Sequence, residues 1–415
     1  MVDILSIGGE PIFDERIVGI ETHTYNPYVN TTFGHNDEIR IPIQQQDLYT
    51  LPSASFLYVE GRLHDDDGAT TSEGRDDQRQ YAKLVNNCVA FMFDEIRYEL
   101  DGVEIDRCRN VGITSTIKNY VSLTAERARR LRNAGWSYPT NESSRQFNFC
   151  VPLNILLGFC EDYQRVVINA RHELILIRAR NDVNCVVDPK KTVPRDPAKD
   201  PKITLLKVQW RMPHVTLDDV TKLSLLRTLE SGRFLSVGFR SWDLYEFPLL
   251  QNTTKHSWAV KAAPQLEKPR YVVFALQTGR RNDFAGDASR FDHCALTNVK
   301  LYLNSEFYPY DDVNANFEDD KFAVLYEMYA KFRGAYYGDS RDHALFSVRE
   351  FARIAPLVVI DCSHQNESVK SATVDVRIEF ECKENVPPKT TAYCLIVHDR
   401  VIEYSPLTNV VRKII

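Results

Sequence analysis

The sequence predicts an all-β protein of two tandem eight-stranded jelly rolls with a few short helices. Three observations carry that prediction. The second half of the chain echoes the first at an offset of 203–204 residues, near half of the 415-residue length. The dominant periodicity is two, the period at which side chains alternate between the faces of a strand. Helical patterns are few and short.

The echo is clearest where Ile96-Arg97-Tyr98-Glu99-Leu100-Asp101-Gly102 meets Val299-Lys300-Leu301-Tyr302-Leu303-Asn304-Ser305. Val121, Arg130 and Gly135 meet Val324, Arg333 and Gly338 at the same offset, and Pro152-Leu153 meets Pro356-Leu357 one residue further on. Recurrence at separated places implies a duplicated domain.

Strands are read in chain order. Ile39–Ile43, Phe56–Val59, Phe91–Leu100, Val166–Ile168 and Leu174–Arg178 supply the first half. In the second, Val374–Glu381 alternates apolar and charged residues without a break, which puts one face on a core and one in water. Ala392–Val397 and Val401–Tyr404 follow, with His398-Asp399-Arg400 read as a turn between them. Asp101-Gly102 between alternating runs is a strong hairpin signal, because a type I′ turn needs positive φ. Asn304-Ser305 occupies the matching place.

Thr124–Gly135 reads as a helix with Thr124 at its N-cap, Asp320–Gly334 as its partner, and Thr216–Glu230, capped by Thr216, as a linker. About eight strands and one helix per half is the pattern of a jelly roll. The expected organisation is therefore an arm at 1–36, a first jelly roll at 37–213, a helical linker at 214–232 and a second jelly roll at 233–415. His64–Gln80, Pro189–Lys202 and Gly279–Phe291 read as long surface loops. The arm is expected to run along a neighbour or an inner surface. The apolar tail Val410–Ile415 is expected to dock on a partner or on its own base.

Composition narrows the function. A formal charge of −6 argues against a general nucleic-acid binder and against adhesion to an anionic membrane. No basic segment leads into an apolar one at the N-terminus, so no signal peptide is expected. No apolar run approaches the ~20 residues of a membrane-spanning helix. The nine cysteines include no CxxC pair and read as buried free thiols of a reducing compartment. No two of the ten histidines have the two- or four-residue spacing of HxH or HExxH sites. GxSxG, GxxxxGK[ST] and strand-linked GxGxxG motifs are absent from the sequence. No catalytic residue, cofactor or metal site is expected, and the chain reads as a non-enzyme. Asp65-Asp66-Asp67 lacks the ligand spacing of a calcium loop and reads as solvated.

The residues singled out as a candidate subunit interface are Arg127, Arg129, Arg130, Arg132, Tyr336, Tyr337, Ile414 and Ile415. The arginines, with only Glu126 among them, give one helix a local positive face. That face suits an acidic neighbour, nucleic acid or simply solvent. Tyrosine buries area while keeping a polar tip, which suits interfaces and core edges alike.

Asp37–Pro52, Ser55–Gly61 and Thr391–Pro406 resemble the double jelly-roll major capsid proteins of Polinton (Maverick) type mobile elements and adintovirus-like viruses, including relatives integrated in invertebrate genomes. The resemblance runs from about residue 37 to the C-terminus. It implies two upright jelly rolls per subunit, a homotrimeric capsomer and a shell, with a minor, penton-type capsid protein as a further partner. It implies a virion or virus-like particle as the location, built from protein made in the cytoplasm and assembled there or in the nucleus. It carries over no catalytic residues. A host-retained copy with a changed role and a jelly-roll carbohydrate- or protein-binding module stand as alternatives.

Overall fold

A computed structural model describes residues 16–29, 32–44, 49–64, 82–136, 146–188, 200–230, 232, 234–260, 268–304, 306–339, 344–364 and 374–414. The first lobe contains β1 (Ile17–Tyr25), β2 (Glu38–Ile43), β3 (Phe56–His64), β4 (Phe93–Leu100), β5 (Val103–Arg109), β6 (Gln146–Pro152), β7 (His172–Arg178) and β8 (Lys202–Leu217). The second contains β9 (Leu235–Phe247), β10 (Lys255–Val260), β11 (Pro269–Thr278), β12 (Leu296–Leu303), β13 (Glu306–Tyr308), β14 (Val358–Asp361), β15 (Val376–Cys382) and β16 (Thr390–Ser405), followed by β17 (Val410–Ile414).

Pairing is antiparallel throughout and the eight main strands of each lobe match one for one; lobe one adds four two-residue strands, Tyr49–Thr50, Lys83–Leu84, Val167–Ile168 and Val186–Val187. Lobe one has sheets β1-β8-β3-β6 and β2-β7-β4-β5. Lobe two has β9-β16-β11-β14 and β10-β15-β12-β13. Each strand of lobe one corresponds to the one eight places later, so the chain carries one jelly-roll topology twice. Within each lobe the inward residues of the two sheets meet. Ile39, Ile41, Ile96, Tyr98, Leu174 and Leu176 oppose Leu57, Val59, Val208 and Trp210 in lobe one.

The 203–204 offset holds for β4, β5 and β7 against β12, β13 and β15. Elsewhere connections of different length shift it. Pro152 ends β6, whereas Pro356 precedes β14, so that pair is not equivalent. The hairpin after β4 is as expected: Asp101 and Gly102 have φ of 49° and 80°, and Asn304 at the matching turn has 55°.

Several expectations are corrected. The segment 1–36 is not wholly an arm, because β1 is the first strand of lobe one, paired from Ile17↔Leu217 to Tyr25↔Trp210. The first jelly roll therefore begins near residue 17. The linker helix is shorter, because Thr216 and Leu217 still belong to β8. Its cap is Asp218, whose carboxylate accepts the Val220 and Thr221 amides at 3.2 and 3.3 Å. His398-Asp399-Arg400 makes no turn. β16 runs through it, with His398 inward and Asp399 outward. The tail docks on its own chain, where β17 pairs with β16 from Val410↔Ser405 to Ile414↔Val401. The acidic run at 65–67 and most of 189–202 lie outside the described residues.

The helices are α1 (Cys88–Phe91), α2 (Val111–Ser122), α3 (Ala125–Arg130), α4 (Gly158–Asp162), α5 (Asp219–Glu230), α6 (Ala323–Tyr337) and α7 (Val348–Ile354). Thr124 does cap α3, accepting the Arg127 amide at 3.1 Å. The chain then tightens into a 3-10 turn, Leu131–Ala134, and stops at Gly135 with φ of 82°. α6 runs to Gly338 rather than Gly334. The first helix after the matched hairpins is α2 in lobe one and α6 in lobe two. The counterpart of α6 is therefore α2, and α3 matches α7 in order.

Candidate functional site

The two lobes meet along a joint built from α2, α4 and β5 on one side and β9 and α6 on the other. All twelve residues of α2 are buried. Half of them are β-branched, which weakens intrinsic helix propensity, so packing on every side is what holds the helix. Its polar residues are satisfied locally. Thr114 and Ser115 hydroxyls donate to the Arg109 and Val111 carbonyls at 2.6 Å each, and the Asn119 amide donates to the Ile155 carbonyl at 2.9 Å.

Lys118, in the middle of α2, is 1% exposed and bonds the Glu161 carboxylate of α4. Tyr336 and Tyr337, at the end of α6, reach across from lobe two. Their phenols donate to Glu161 Oε2 at 3.0 Å and Oε1 at 2.6 Å. Lys118 Nζ also lies 4.6 Å from the centre of the Trp242 ring on β9. Burial pulls the Lys118 ammonium below its usual range, opposed by the Glu161 charge beside it. Burial first, and the Glu161 carboxylate second, push both phenols up, so they stay protonated and donate.

Arg240 of β9 clamps the next carboxylate. Its Nε and Nη2 donate to Asp162 at 2.8 and 2.7 Å, and its guanidinium lies 3.5 Å from the Tyr336 ring centre. Burial alone would lower Arg240, but the bidentate Asp162 carboxylate outweighs it and raises the group. A third contact joins β5 to β9. Buried Asp106 accepts the Phe159 amide at 2.9 Å and the Ser241 hydroxyl of lobe two at 2.8 Å. The approach is close enough that Gly158 has no room for a side chain: a Cβ there would sit 1.7 Å from the Arg240 carbonyl oxygen.

Tyr336 and Tyr337 therefore serve the joint inside one chain rather than an outer surface, because 4% of Tyr336 is exposed and both phenols are bound internally. Arg127, Arg129, Arg130 and Arg132 do face outward. Arg130 pairs with Glu126 at 2.6 Å and Arg127 donates to Asn154 at 3.4 Å. Arg127 and Arg130 border a groove of about 540 Å³ whose apolar lining includes Phe56, Leu131 and Pro152. Ile414 is exposed on β17, and Ile415 lies outside the described residues. The structure brings none of these three groups together.

Lys118, Glu161, Asp106 and Arg240 were missed in the sequence. One signal was available: from Val111 to Leu123 the only charged residue is Lys118. A single charge in such a stretch demands a partner when the stretch is buried.

All nine cysteines are free thiols, and burial pushes Cys88 and Cys382 up to about 12. Among the described residues no three His, Cys, Asp or Glu side chains gather as metal ligands, and no helix is long and apolar enough to cross a membrane.

The structure of PBCV-1 VP54, fitted into a cryo-EM reconstruction of the virophage Sputnik, superposes with a TM-score of 0.58 at 10% identity, covering 98% of this chain and 99% of that one. The Sputnik virophage structure solved by cryo-EM gives 0.55 at 10% identity over 99% and 91%. The mavirus major capsid protein gives 0.54 at 10% identity over 95% and 90%. No curated protein matches the sequence. At such identities the likeness is one of fold. The sequence model of the double jelly roll-like domain matches residues 82–402, most of the chain. The chain thus belongs to the double jelly roll-like domain family.

Proposed function

We propose that this chain is a capsid subunit: three copies close into a pseudo-hexagonal capsomer, and capsomers tile an icosahedral shell. The similar solved structures include a virophage major capsid protein and a virus capsid. The observation that carries the reading is the direction of the joint. β5, α2 and α4 of lobe one cover the β9 edge of lobe two, a head-to-tail contact. The counterparts of the two joined strands, β1 and β13, are not covered in this way. β1, the counterpart of β9, exposes Ile17, Val18 and Ile20. β13, the counterpart of β5, exposes Phe307, on which the exposed Tyr310 ring stacks at 5.9 Å. A head-to-tail contact that repeats either closes a ring or grows a filament. Two lobes per chain and three chains give six near-equivalent joints.

Arg127, Arg129, Arg130, Arg132 and Ile414 are then candidates for contacts between capsomers. A penton-type partner, a Polinton-like or adintovirus-like source and a location in the virion belong to the same reading, supported by the runs at 37–61 and 391–406.

Native mass spectrometry tests it. Wild-type chain should weigh three times 47.8 kDa, and Ile20→Asp or Phe307→Asp should yield folded monomer. A wild-type monomer at micromolar concentration would sink the proposal.

A further inference from the structure

β1 is held to the molecule along one edge only, by its pairing with β8. On one face of that pair the rings of His23 and His214 lie 4.3 Å apart, centre to centre. His214 Nε2 shares a hydrogen bond with the Tyr25 phenol at 2.9 Å. Among the described residues its Nδ1 is buried with no hydrogen-bond partner. We infer that β1 is an acid-released strand: when His214 takes up a proton, β1 unpairs from β8 and withdraws the edge that receives the next copy. The link to assembly rests on the capsomer reading. The release itself does not.

The groups facing His214 come from three directions. From β1 there are Glu21, opposite it in register, together with His23 and Tyr25. Across the other edge of β8 lies Thr50, and behind it His172, whose ring Nε2 is 2.8 Å from the Thr50 hydroxyl. The one carboxylate in this set, Glu21, sits 3.6 Å from His23 Nε2. A protonated His214 has two N–H donors. One finds Tyr25, and the other points into buried space without an acceptor. A buried charge left unpaired in this way is expelled, and the freest element to move is β1.

Burial first, and the neighbouring His23 second, hold His214 below the usual imidazole range. The sign follows from linkage. Pairing of β1 is fully favoured above the free imidazole value near 6.5 and weakens as pH falls below it. With a free value near 6.5, acidification to pH 5 shifts the pairing equilibrium by at most about thirtyfold through His214.

Hydrogen exchange read by mass spectrometry, corrected for intrinsic rates, tests this on the full chain at pH 7.5 and 5.0. The peptide covering 17–25 should lose about tenfold or more of its protection at pH 5.0 while β12 keeps its own. His214→Gln, which does not titrate, should abolish that loss. His23→Gln, at an exposed position, should shift it to lower pH, and it serves if the buried variant fails to fold. Unchanged protection of 17–25 at pH 5.0, or an equal loss in both variants, overturns the inference. Native mass recorded on the same samples separates the two readings: a monomer at both pH values with acid-released β1 defeats the capsomer and keeps the latch.

Discussion

β9 and β1 hold the same place in two copies of one fold, yet β9 lies under the other lobe while β1 carries Ile17, Val18 and Ile20 into solvent. The difference comes from connectivity. α5 leads from the last strand of lobe one to the first of lobe two, so only one of the two equivalent edges can be covered within a single chain. Duplication supplied two identical frames, and divergence then fitted one edge to a permanent neighbour. The covered edge carries a bidentate arginine, and the elements that cover it carry a buried ion pair and a glycine with no space above it. The open edge carries exposed aliphatics and a histidine pair.

The largest expected effect tests the covered edge. Lys118→Met leaves Glu161 buried with phenols alone for company, and removing one partner of a buried pair costs about 3–5 kcal/mol. Replacing both, Lys118→Met with Glu161→Leu, should recover most of that loss, because the desolvation of both charges disappears together. Urea denaturation of the single and double variants measures it. Equal losses in the two would show that the Lys118 stem, packed against Trp242, matters more than the charge.

The cores of the two lobes also differ at matched positions. His172 opens β7 in lobe one, bonded to the Thr50 hydroxyl and, through Nδ1, to the Tyr98 phenol at 2.8 Å. At the 203–204 offset, lobe two has Val376 and Leu301 instead. Burial pushes His172 down to about 3, with nearby His214 as a second cause. Its neutral form therefore stabilises lobe one above pH 6.5, and that contribution is lost as pH falls from there toward 3. At pH 4 the loss is at most about 3 kcal/mol. Lobe one should open first on acidification, visible as exchange in β4 and β7 before β12 and β15. His172→Gln should bring the two lobes closer in acid stability. If lobe two opens first, the polar core of lobe one is not its weak point.

The frame was legible in the sequence because hairpin chemistry and strand alternation are local. Asp101-Gly102, Val376–Cys382 and the α3 cap at Thr124 all behave as their residues dictate. β1 was hidden because both its faces are polar or exposed: Glu21, Thr22, His23 and Thr24 show no alternation with a core face. α2 was hidden for the opposite reason. A helix buried on every side has no apolar stripe to give it a 3.6-residue period, and Val111, Ile113, Thr114, Thr116, Ile117 and Val121 favour strand. The joint could not be read at all, since Lys118, Glu161, Arg240 and Tyr336 come from four separated segments that only the packing of two lobes brings together. Tyr336 and Tyr337, singled out for a subunit interface, bind Glu161 within one chain.

The smallest expected effect concerns the helices that flank the joint. α6 turns Leu325, Tyr329, Phe332 and Tyr336 inward, with Phe332 and Tyr336 stacked at 5.0 Å, so its aromatic face is core. α3 turns arginines outward, and its Arg130–Glu126 pair is 79% and 75% exposed. Exposed pairs at this spacing contribute about 0.3–0.5 kcal/mol and are screened by salt. Arg130→Ala should therefore shift the denaturation midpoint of the isolated subunit by no more than about 0.5 kcal/mol, and less at 0.5 M salt. If the same substitution lowers stability by over ~1 kcal/mol only under conditions where subunits associate, α3 is covered in the assembly, and the outward face of lobe one has a neighbour after all. If it is silent in both states, the arginines are a solvated surface, and the two lobes differ there for solubility alone.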